Sequence, residues 1–345
     1  MGKSKLEYFF KDGLRKLIIF GLNELACDAI RFCRNLGVEV MLVSGPRMRK
    51  VEFACDGDNY GYRYCIDWVE NQSDVEYFEL TQLRKIDIEE HLCSNCAGFS
   101  FDSPFIIKQP VIDLFDGAIF NEHGAILPHG KGGGGFSWRI MDGDREGSVI
   151  FHRLIEEIDG GEIVVQQNFE FSAACRHPID FYRFQHERNL EALQTFLRAL
   201  YSNEGFELQS QVARFSSYMP RLNTAEQAFI DWNWSAEDVV AFIHAFSVPY
   251  EGAKPFLNGR KVFLLDAYVD RKTLHTHPFK RGIIFNVFKG SLYIVANGGT
   301  LVVTDFVVED DDNRIIVGDR LHTPINMLEQ AYAQRVIYTP SGLKS

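Results

Sequence analysis

The sequence predicts an α/β protein in two parts: a doubly wound N-terminal domain followed by a small β-barrel-like C-terminal module. Near the start, apolar strands alternate with an amphipathic helix, which is the order of a βαβ unit. Later in the chain the pattern changes to short, regularly spaced strands separated by turn signals, which is typical of a small barrel or sandwich. A chain of 345 residues is long enough for both parts.

The βαβ unit opens with an apolar strand at residues 16–21. A helix is predicted over residues 24–36, because apolar side chains recur on one side of it and Gly37 follows as a stop signal. Residues 38–43 form the second strand. No GxGxxG motif follows the first strand, so the sequence does not predict a dinucleotide site there.

The same patterns predict the rest of the first domain. Residues 46–75 are expected to form a polar, aromatic excursion. The other predicted elements are strands at 75–80, 96–101 and 118–123, a helical turn at 86–92, a hairpin-like pair at 148–154 and 163–171, and a long helix over 178–201.

In the second part, Ser235 has the character of an N-cap, with Asp238 three residues later, for a helix that runs to about Ala245. The strands predicted after it lie at 261–267, 282–288, 291–296, 300–308 and 314–317. We therefore divide the chain into a first domain at 1–205, a linker and helix at 206–250 and a β-rich module at 251–345.

The charge and hydropathy of the chain exclude some partners. The net charge is −11, whereas proteins that bind nucleic acid present a basic surface, so we expect no nucleic-acid partner. No apolar run reaches the roughly 18–20 residues that a membrane span needs. The N-terminus is charged and lacks the apolar stretch of a signal peptide. We expect a cytoplasmic protein without a membrane partner.

The seven cysteines are expected to be reduced thiols, because their number is odd and the chain shows no export signal. Cys93 and Cys96 form a lone CxxC motif. A structural zinc site needs a second pair with similar spacing, and the sequence contains none. No metal site is predicted.

Three polar residues are the strongest candidates for chemistry. Asn121 and His123 are two residues apart on a predicted strand, so their side chains share one face. Asp159 follows on a glycine-rich turn that can close on both. Together they supply an amide donor for an oxyanion, a titratable base and a carboxylate beside the base.

At these residues the chain resembles the folate-dependent formyltransferases, whose signature is Asn-x-His, then Leu-Pro, then Asp-x-Gly. The matching segments are 121–128 and 158–163. The likeness continues through 220–221, 230–232 and 249–253, which are similar to the linker and C-terminal module of methionyl-tRNA formyltransferases and amino-sugar formyltransferases. The resemblance implies a Rossmann-like formyltransferase domain followed by that module.

The resemblance also implies the formyl donor and the residue roles. The donor is N10-formyltetrahydrofolate, with His123 as the base, Asn121 as the oxyanion donor and Asp159 as the group that orients the histidine and raises its basicity. The residues implied to contact the folate are Ser100, Phe101, Phe105, Ile106 and Ile158.

The sequence departs from the family pattern after Leu-Pro, where the family has Tyr-Arg-Gly and a proline. Here residues 129–132 read His-Gly-Lys-Gly, and Gly135 replaces the proline. The departure puts the family's arginine contact with the acceptor in doubt. Four successive glycines at 132–135 also predict a flexible loop.

Four functions are compatible with this interpretation. The first is formylation of the amine of a nucleotide-linked amino sugar, as in O-antigen and lipopolysaccharide biosynthesis, by an enzyme that can be a homodimer. The second is methionyl-tRNA formylation, which the acidic charge disfavours. The third is a hydrolase that releases formate from formyltetrahydrofolate. The fourth is a non-catalytic folate-binding or nucleotide-sugar-binding protein, which an intact Asn/His/Asp trio disfavours.

Overall fold

The computed structural model describes residues 6–49, 62–133, 135–272, 277–309 and 315–343. The strands of its first part are β1 (Leu6–Glu7), β2 (Lys16–Phe20), β3 (Glu39–Ser44), β4 (Glu76–Glu79), β5 (Cys96–Ser100), β6 (Ile119–His123), β7 (Lys131–Gly132), β8 (Glu146–Arg153), β9 (Ile163–Glu170) and β10 (Phe206–Glu207). Its helices are α1 (Glu24–Leu36), α2 (Tyr62–Glu70), α3 (Ile86–Glu89), α4 (Gln109–Ile112), α5 (Gly135–Asp142) and α6 (Pro178–Tyr201).

The centre of the first part is a seven-stranded sheet with the order β4-β3-β2-β5-β6-β8-β9. The five strands from β4 to β6 are parallel, and β8 and β9 run antiparallel to their neighbours. One face carries a core shared with α1 and α6, and the other face carries a core shared with α4. The doubly wound prediction is confirmed.

Local signals explain why α1 forms where it does. Asn23 accepts a hydrogen bond from the backbone N–H of Ala26 at 3.0 Å and so caps the first turn. Gly37 ends the helix with φ of 72°, a conformation that glycine adopts without strain. Leu25, Ile30 and their neighbours on the same side are buried against the sheet. The predicted helix is confirmed at both ends, as is α6 over 178–201.

The strands of the second part are β11 (Tyr218–Met219), β12 (Phe256–Leu257), β13 (Arg260–Asp270), β14 (Ile284–Phe288), β15 (Ser291–Ala296), β16 (Gly299–Val308), β17 (Tyr338–Thr339) and β18 (Gly342–Leu343). Its helices are α7 (Thr224–Gln227), α8 (Ala236–Ala245) and α9 (Ile325–Ala333). Single 3₁₀ turns in the chain lie at Pro46–Arg49, Asp113–Phe115, Ala213–Phe215 and Pro278–Lys280. The N-cap predicted at Ser235 is confirmed, since its side chain accepts from the Asp238 N–H at 3.0 Å.

The C-terminal sheet has the order β12-β13-β16-β15-β14, and a later segment joins its two edges. His322 exchanges backbone hydrogen bonds with Phe256 on β12, and Leu321 donates to Gly282 just before β14. Closure through residues 318–322 leaves the sheet without a free edge over this stretch. The β-barrel-like module predicted from the sequence is confirmed.

The barrel and the first part share a hydrophobic core. Ile140 of α5 and Phe181 of α6 belong to the same buried cluster as Phe246, Leu264 and other side chains of the second part. The hydroxyl of Ser137 donates to the carbonyl oxygen of Ala245 at 2.8 Å, which ties α5 to the end of α8. The C-terminal module therefore packs directly on the α/β domain.

Some sequence predictions were wrong. Residues 315–317 are not a strand, because Asp319 accepts the N–H of Ile316 in a turn and pairing with the barrel begins after it; position 314 lies outside the described residues. The glycine run is not a loop throughout, since Gly132 ends β7 and Gly135 begins α5. Helix α2 lies in the predicted excursion, of which 50–61 are outside the described residues.

Two glycines with similar φ test the closure of the barrel. Gly282 has φ of 79°, and a Cβ there would lie 2.1 Å from the carbonyl oxygen of Leu321, whereas Gly290 has φ of 82° and open space around it. We expect Gly290→Ala to cost about 1 kcal/mol, from backbone strain alone. Gly282→Ala should cost at least about 2 kcal/mol more, because the segment at 318–322 that closes the barrel must move. Chemical denaturation of both variants measures the difference, and equal losses would contradict this account of closure.

Candidate active site

The candidate residues lie at the carboxyl end of β6. In a sheet of mainly parallel strands this end is where ligands bind. Asn121 and His123 point to the same face of the sheet, and Glu122 between them points to the opposite face, as strand alternation requires. Residue 121 is paired across to β5 and β8, so its position depends on both neighbouring strands.

His123 is only 8% exposed, and both of its ring nitrogens have oxygen neighbours. Its Nε2 lies 3.0 Å from the carbonyl oxygen of Gly130, which fits an Nε2–H donor. Its Nδ1 lies 3.8 Å from Oδ2 of Asp159, beyond hydrogen-bond distance. In the neutral form the ring therefore carries its proton on Nε2 and its lone pair on Nδ1. Gly130 orients the ring, and Asp159 acts on it through charge.

Asp159 sits on a turn with φ of 49°, a strained conformation for a residue with a side chain. The turn is held from outside: Gln211 Nε2 donates to the carbonyl oxygens of Asp159 at 2.8 Å and Gly161 at 2.7 Å. The carboxylate in turn accepts the backbone N–H of Gly132 at 2.9 Å. These contacts fix the carboxylate between β7 and the end of β6.

Electrostatics keep this pair in the states that proton transfer needs. Burial by itself raises the pKa of Asp159. The neighbouring imidazoles of His152 and His123 and the Gly132 N–H outweigh burial and hold this pKa at about 2. Burial lowers the pKa of His123, and the neighbouring Asp159 opposes that shift only in part. At neutral pH the site therefore contains an ionised carboxylate beside a neutral imidazole, and that imidazole is a base.

His152 is a site residue that the sequence did not identify. It is fully buried on β8, with Nδ1 2.9 Å from the Arg153 carbonyl oxygen and Nε2 3.2 Å from Nδ2 of Asn121. Its Nε2 is also 3.6 Å from Oδ1 of Asp159. It thus lies between two members of the trio. The only sequence signal was its place on the predicted strand at 148–154, and one sequence does not show that this strand pairs with the strand of Asn121.

The amide of Asn121 is held by protein partners. Its Nδ2 donates to the Glu122 carbonyl oxygen at 2.9 Å and faces the Nε2 lone pair of His152. The amide orientation is therefore determined by the tautomer of His152. An oxyanion could accept a hydrogen bond from this amide only by replacing the Glu122 carbonyl oxygen or His152 as the partner of one N–H group.

The five residues predicted to contact folate fall into two groups. The side chains of Ser100, Phe101 and Phe105 are buried, and the Phe101 ring stacks on Phe99 with centroids 4.3 Å apart. Ile106 and Ile158 are 65% and 50% exposed. A ligand at this edge can reach the last two side chains, whereas it can meet Phe101 only through the backbone.

Residues 124–133, which follow the histidine strand, are anchored by specific contacts. β7 pairs in parallel with β11, and Lys131 Nζ lies 2.9 Å from Oε1 of Glu157. A Cβ at Gly132 would lie 2.2 Å from the Met219 carbonyl oxygen, so only glycine fits there. The close approach of the Met219 backbone therefore explains why position 132 holds a glycine.

Glu122 lies behind the site, against α6. Asn189 Nδ2 donates to its Oε1 at 2.9 Å, and burial together with the charge of Asp102 raises the pKa of Glu122 to about 7. The side-chain oxygens Oδ1 of Asn189 and Oε1 of Gln185 are buried without a hydrogen-bond partner in the part of the chain described here. A protonated Glu122 can donate to such oxygens, but an ionised one cannot.

The chain matches the two domains of a known family. Residues 100–189 match the description "Formyl transferase", and residues 223–313 match "Formyl transferase, C-terminal domain". The first match contains the whole Asn121–Asp159 region, and the second contains most of the barrel. The chain belongs to the formyl transferase family. Its fold agrees with the resemblance found in the sequence.

Two curated relatives of this formyl transferase chain are matched over only part of their own lengths. The methionyl-tRNA formyltransferase of Pseudothermotoga lettingae is 28% identical over 200 residues, which is 58% of this chain and 63% of that protein. The bifunctional polymyxin resistance protein ArnA of Wigglesworthia glossinidia brevipalpis is 22% identical over 266 residues, which is 76% of this chain and 39% of ArnA.

Two solved structures share the fold. One is the sugar 3N-formyl transferase WlaRD, crystallised with dTDP and 5-N-formyl-THF; it has a TM-score of 0.60 at 18% identity and covers 84% of this chain and 97% of its own. The other is an N-formyltransferase from Helicobacter canadensis in complex with folinic acid and dTDP-3-aminofucose, with a TM-score of 0.60 at 18% identity and coverage of 84% and 99%.

The partly buried carboxyl of Glu122 predicts a pH dependence of stability. Its pKa is raised by folding from 4.5 to about 7, so the folded state holds this proton more tightly than the unfolded state. Its contribution is fully present below about pH 4.5 and is lost as the pH rises through 7. We expect Glu122→Gln to gain on the order of 1–3 kcal/mol relative to the original protein between pH 4.5 and 8.

Urea denaturation at several pH values measures this difference. The control is Glu187→Gln, which removes an exposed carboxyl from α6 near Asn189. A difference between Glu122→Gln and the original protein that does not change with pH would show that Glu122 does not bind its proton as described.

Proposed function

We propose that the chain transfers the formyl group of N10-formyltetrahydrofolate to the amine of a nucleotide-linked amino sugar. The observation that carries the proposal is the approach of His123 to Asp159, with Asn121 on the same face of β6, in a chain of the formyl transferase family. The donor is supported by the formyl-folates in the two solved neighbours, and the acceptor by the dTDP and dTDP-sugar bound to them.

His123 is the proposed base. Transfer requires that the attacking amine lose a proton as its nitrogen bonds to the formyl carbon, and that N10 regain one as the N10–C bond breaks. The Nδ1 lone pair of neutral His123 can accept the first proton and return it to N10. Asp159, 3.8 Å away, stabilises the imidazolium that exists between these steps.

Asn121 is the proposed oxyanion donor. When the amine attacks, the formyl oxygen becomes negative, and an amide N–H placed against it is worth about 3–4 kcal/mol in comparable sites. In the structure this N–H is directed at His152 Nε2. In this role the amide must release His152 and donate its N–H to the formyl oxygen instead. Without substrate, His152 holds the amide in position.

The folate is proposed to lie along the backbone after β5, beside Asn121. Ser100 and Phe101 supply backbone at that strand end, and Ile106 and Ile158 supply exposed apolar surface on either side. The pterin ring has apolar faces and a polar edge of nitrogen and oxygen atoms, so exposed aliphatic side chains can pack on a face while backbone groups bind the edge. Phe105 supports the loop from inside the core.

The acceptor is argued from charge. A net charge of −11 gives no general field for tRNA, whose binding depends on phosphate contacts with basic residues. Methionyl-tRNA remains the second candidate acceptor, because one curated relative carries that name. Water is the third, which would make the protein a formyltetrahydrofolate hydrolase.

Several sequence-based expectations remain predictions. They are the domain boundaries at 205 and 250, a homodimer, a cytoplasmic location and a role in lipopolysaccharide O-antigen synthesis. Of the described helices, none is both long and apolar enough to span a bilayer.

Removal of the base or the donor tests the mechanism. We expect His123→Ala and Asn121→Ala each to lower kcat at least about a hundredfold, because each removes an interaction made in the transition state. Folding should persist, since both side chains lie at a strand end. The control is His277→Ala, which removes an exposed histidine from the barrel. A folded His123→Ala protein with near-normal turnover would refute the assignment.

The acceptor is identified by the release of tetrahydrofolate from N10-formyltetrahydrofolate. We expect release to depend on an added nucleotide-linked amino sugar, to stop when the amine of that sugar is acetylated, and to be negligible with methionyl-tRNA. Rapid release in buffer alone would indicate a hydrolase. Robust formylation of methionyl-tRNA would favour the second candidate instead.

A further inference from the structure

A second cleft lies between α5, the turn at 172–177, α8 and the end of β13. Its volume is about 460 Å³, and none of Asn121, His123 and Asp159 lines it. Its walls carry four guanidinium groups and an imidazole: Arg139, Arg145, Arg176, Arg271 and His244. We call it the arginine cleft. Two carboxylates, Asp144 and Glu237, line the same walls. The four guanidinium groups outnumber them, so the cleft is locally positive in a chain with a net charge of −11, and such a field favours an anion.

Arg139 is the strongest sign of a missing partner. Its side chain is 7% exposed, and its Nε lies 3.5 Å from Oδ2 of Asp144. Its Nη1 is buried and has no hydrogen-bond partner among the described residues. A buried guanidinium N–H without an acceptor is costly, so an oxygen acceptor is expected from outside the protein.

The other arginines are held in position by the protein. Arg145 Nη1 donates to the carbonyl oxygens of Ser172 at 3.2 Å and Cys175 at 2.6 Å, and its guanidinium lies 5.2 Å from the Phe181 ring centroid. Arg271 Nη2 lies 3.0 Å from Oε1 of Glu237 at the exposed rim. These contacts use only some of the five N–H donors of each guanidinium.

Arg176 is anchored by a cluster that could be mistaken for a metal site. His177, His244 and Asp266 offer one ligand atom each within 4.8 Å of one another. Arg176 Nη2, however, lies 3.1 Å from His244 Nε2 and 2.5 Å from Oδ1 of Asp266. A guanidinium in contact with two of the three ligands repels a divalent cation, so the cluster positions Arg176 instead.

We propose that the arginine cleft binds a phosphate-bearing small molecule of about nucleotide size, at a site separate from the trio. Guanidinium groups match phosphate oxygens in paired, charge-assisted hydrogen bonds. Ile140, Phe181, Val240 and Val269 add apolar wall for the rest of the ligand, and the volume lies within the range of small-molecule sites. The proposal does not depend on the formyltransferase reaction.

Calorimetry with uridine diphosphate, inorganic pyrophosphate and uridine tests the proposal on the full chain. We expect both phosphate probes to bind and uridine to bind at least about tenfold more weakly, because the arginines recognise the phosphates. Arg139→Gln should weaken binding of the phosphate probes at least about tenfold. Since Arg139 is buried, Ala241→Glu is the second variant: it adds a carboxylate to the wall from α8 without removing a core side chain.

Two controls separate this site from others. Ala333→Glu adds the same charge to an exposed position on α9, and His123→Ala alters the candidate active site; neither should change binding of pyrophosphate. Equal affinities of the original protein and Ala241→Glu for pyrophosphate would overturn the proposal, as would uridine binding as tightly as uridine diphosphate. Stoichiometric zinc binding that is lost in His244→Ala, without pyrophosphate binding, would establish the metal site instead.

Discussion

The arrangement of the candidate site depends on one buried carboxylate, that of Asp159. It accepts the backbone N–H of Gly132, lies beside the Nδ1 of His123 and lies beside the Nε2 of His152. Three segments that are separate in sequence therefore meet at one charge. Because these neighbours stabilise the ionised form, the pKa of Asp159 is low in spite of burial. The charge of this group stabilises the protonated form of the histidine beside it, whose ring is oriented by the carbonyl oxygen of Gly130.

The turn that carries this carboxylate is also tied to the segment that leads into the barrel. Gln211 holds the backbone on both sides of the aspartate turn, and β11 pairs with the strand that carries Gly132. The segment before the barrel is therefore part of the structure that shapes the site. The barrel itself packs on α5, the helix that begins just after this strand. Displacement of the barrel would therefore shift β7, the strand whose Gly132 N–H donates to Asp159.

Charge is distributed unevenly in this acidic protein. Behind β6, burial and Asp102 favour an uncharged Glu122, which lowers the cost of a partly buried carboxyl. On the other side of α5, four arginines surround one cavity, and one of them has a buried N–H without a partner in the described chain. The net charge of −11 therefore predicts neither the uncharged Glu122 nor the positive arginine cleft. Local groups therefore decide which ions this protein attracts at each place.

The sequence by itself determined the elements with local signals and the family. Apolar periodicity from residue 24 and the stop signal at Gly37 predict the extent of α1, and the spacing of Asn121 and His123 places both on one face of a strand. It did not reveal α5, because a glycine run disfavours a helix and tertiary packing against α6 and α8 stabilises one there. Nor did it reveal His152, whose role depends on the antiparallel pairing of β8 with β6. Strand order and the contacts between distant segments are set by tertiary packing, since neither leaves a periodic pattern in the chain.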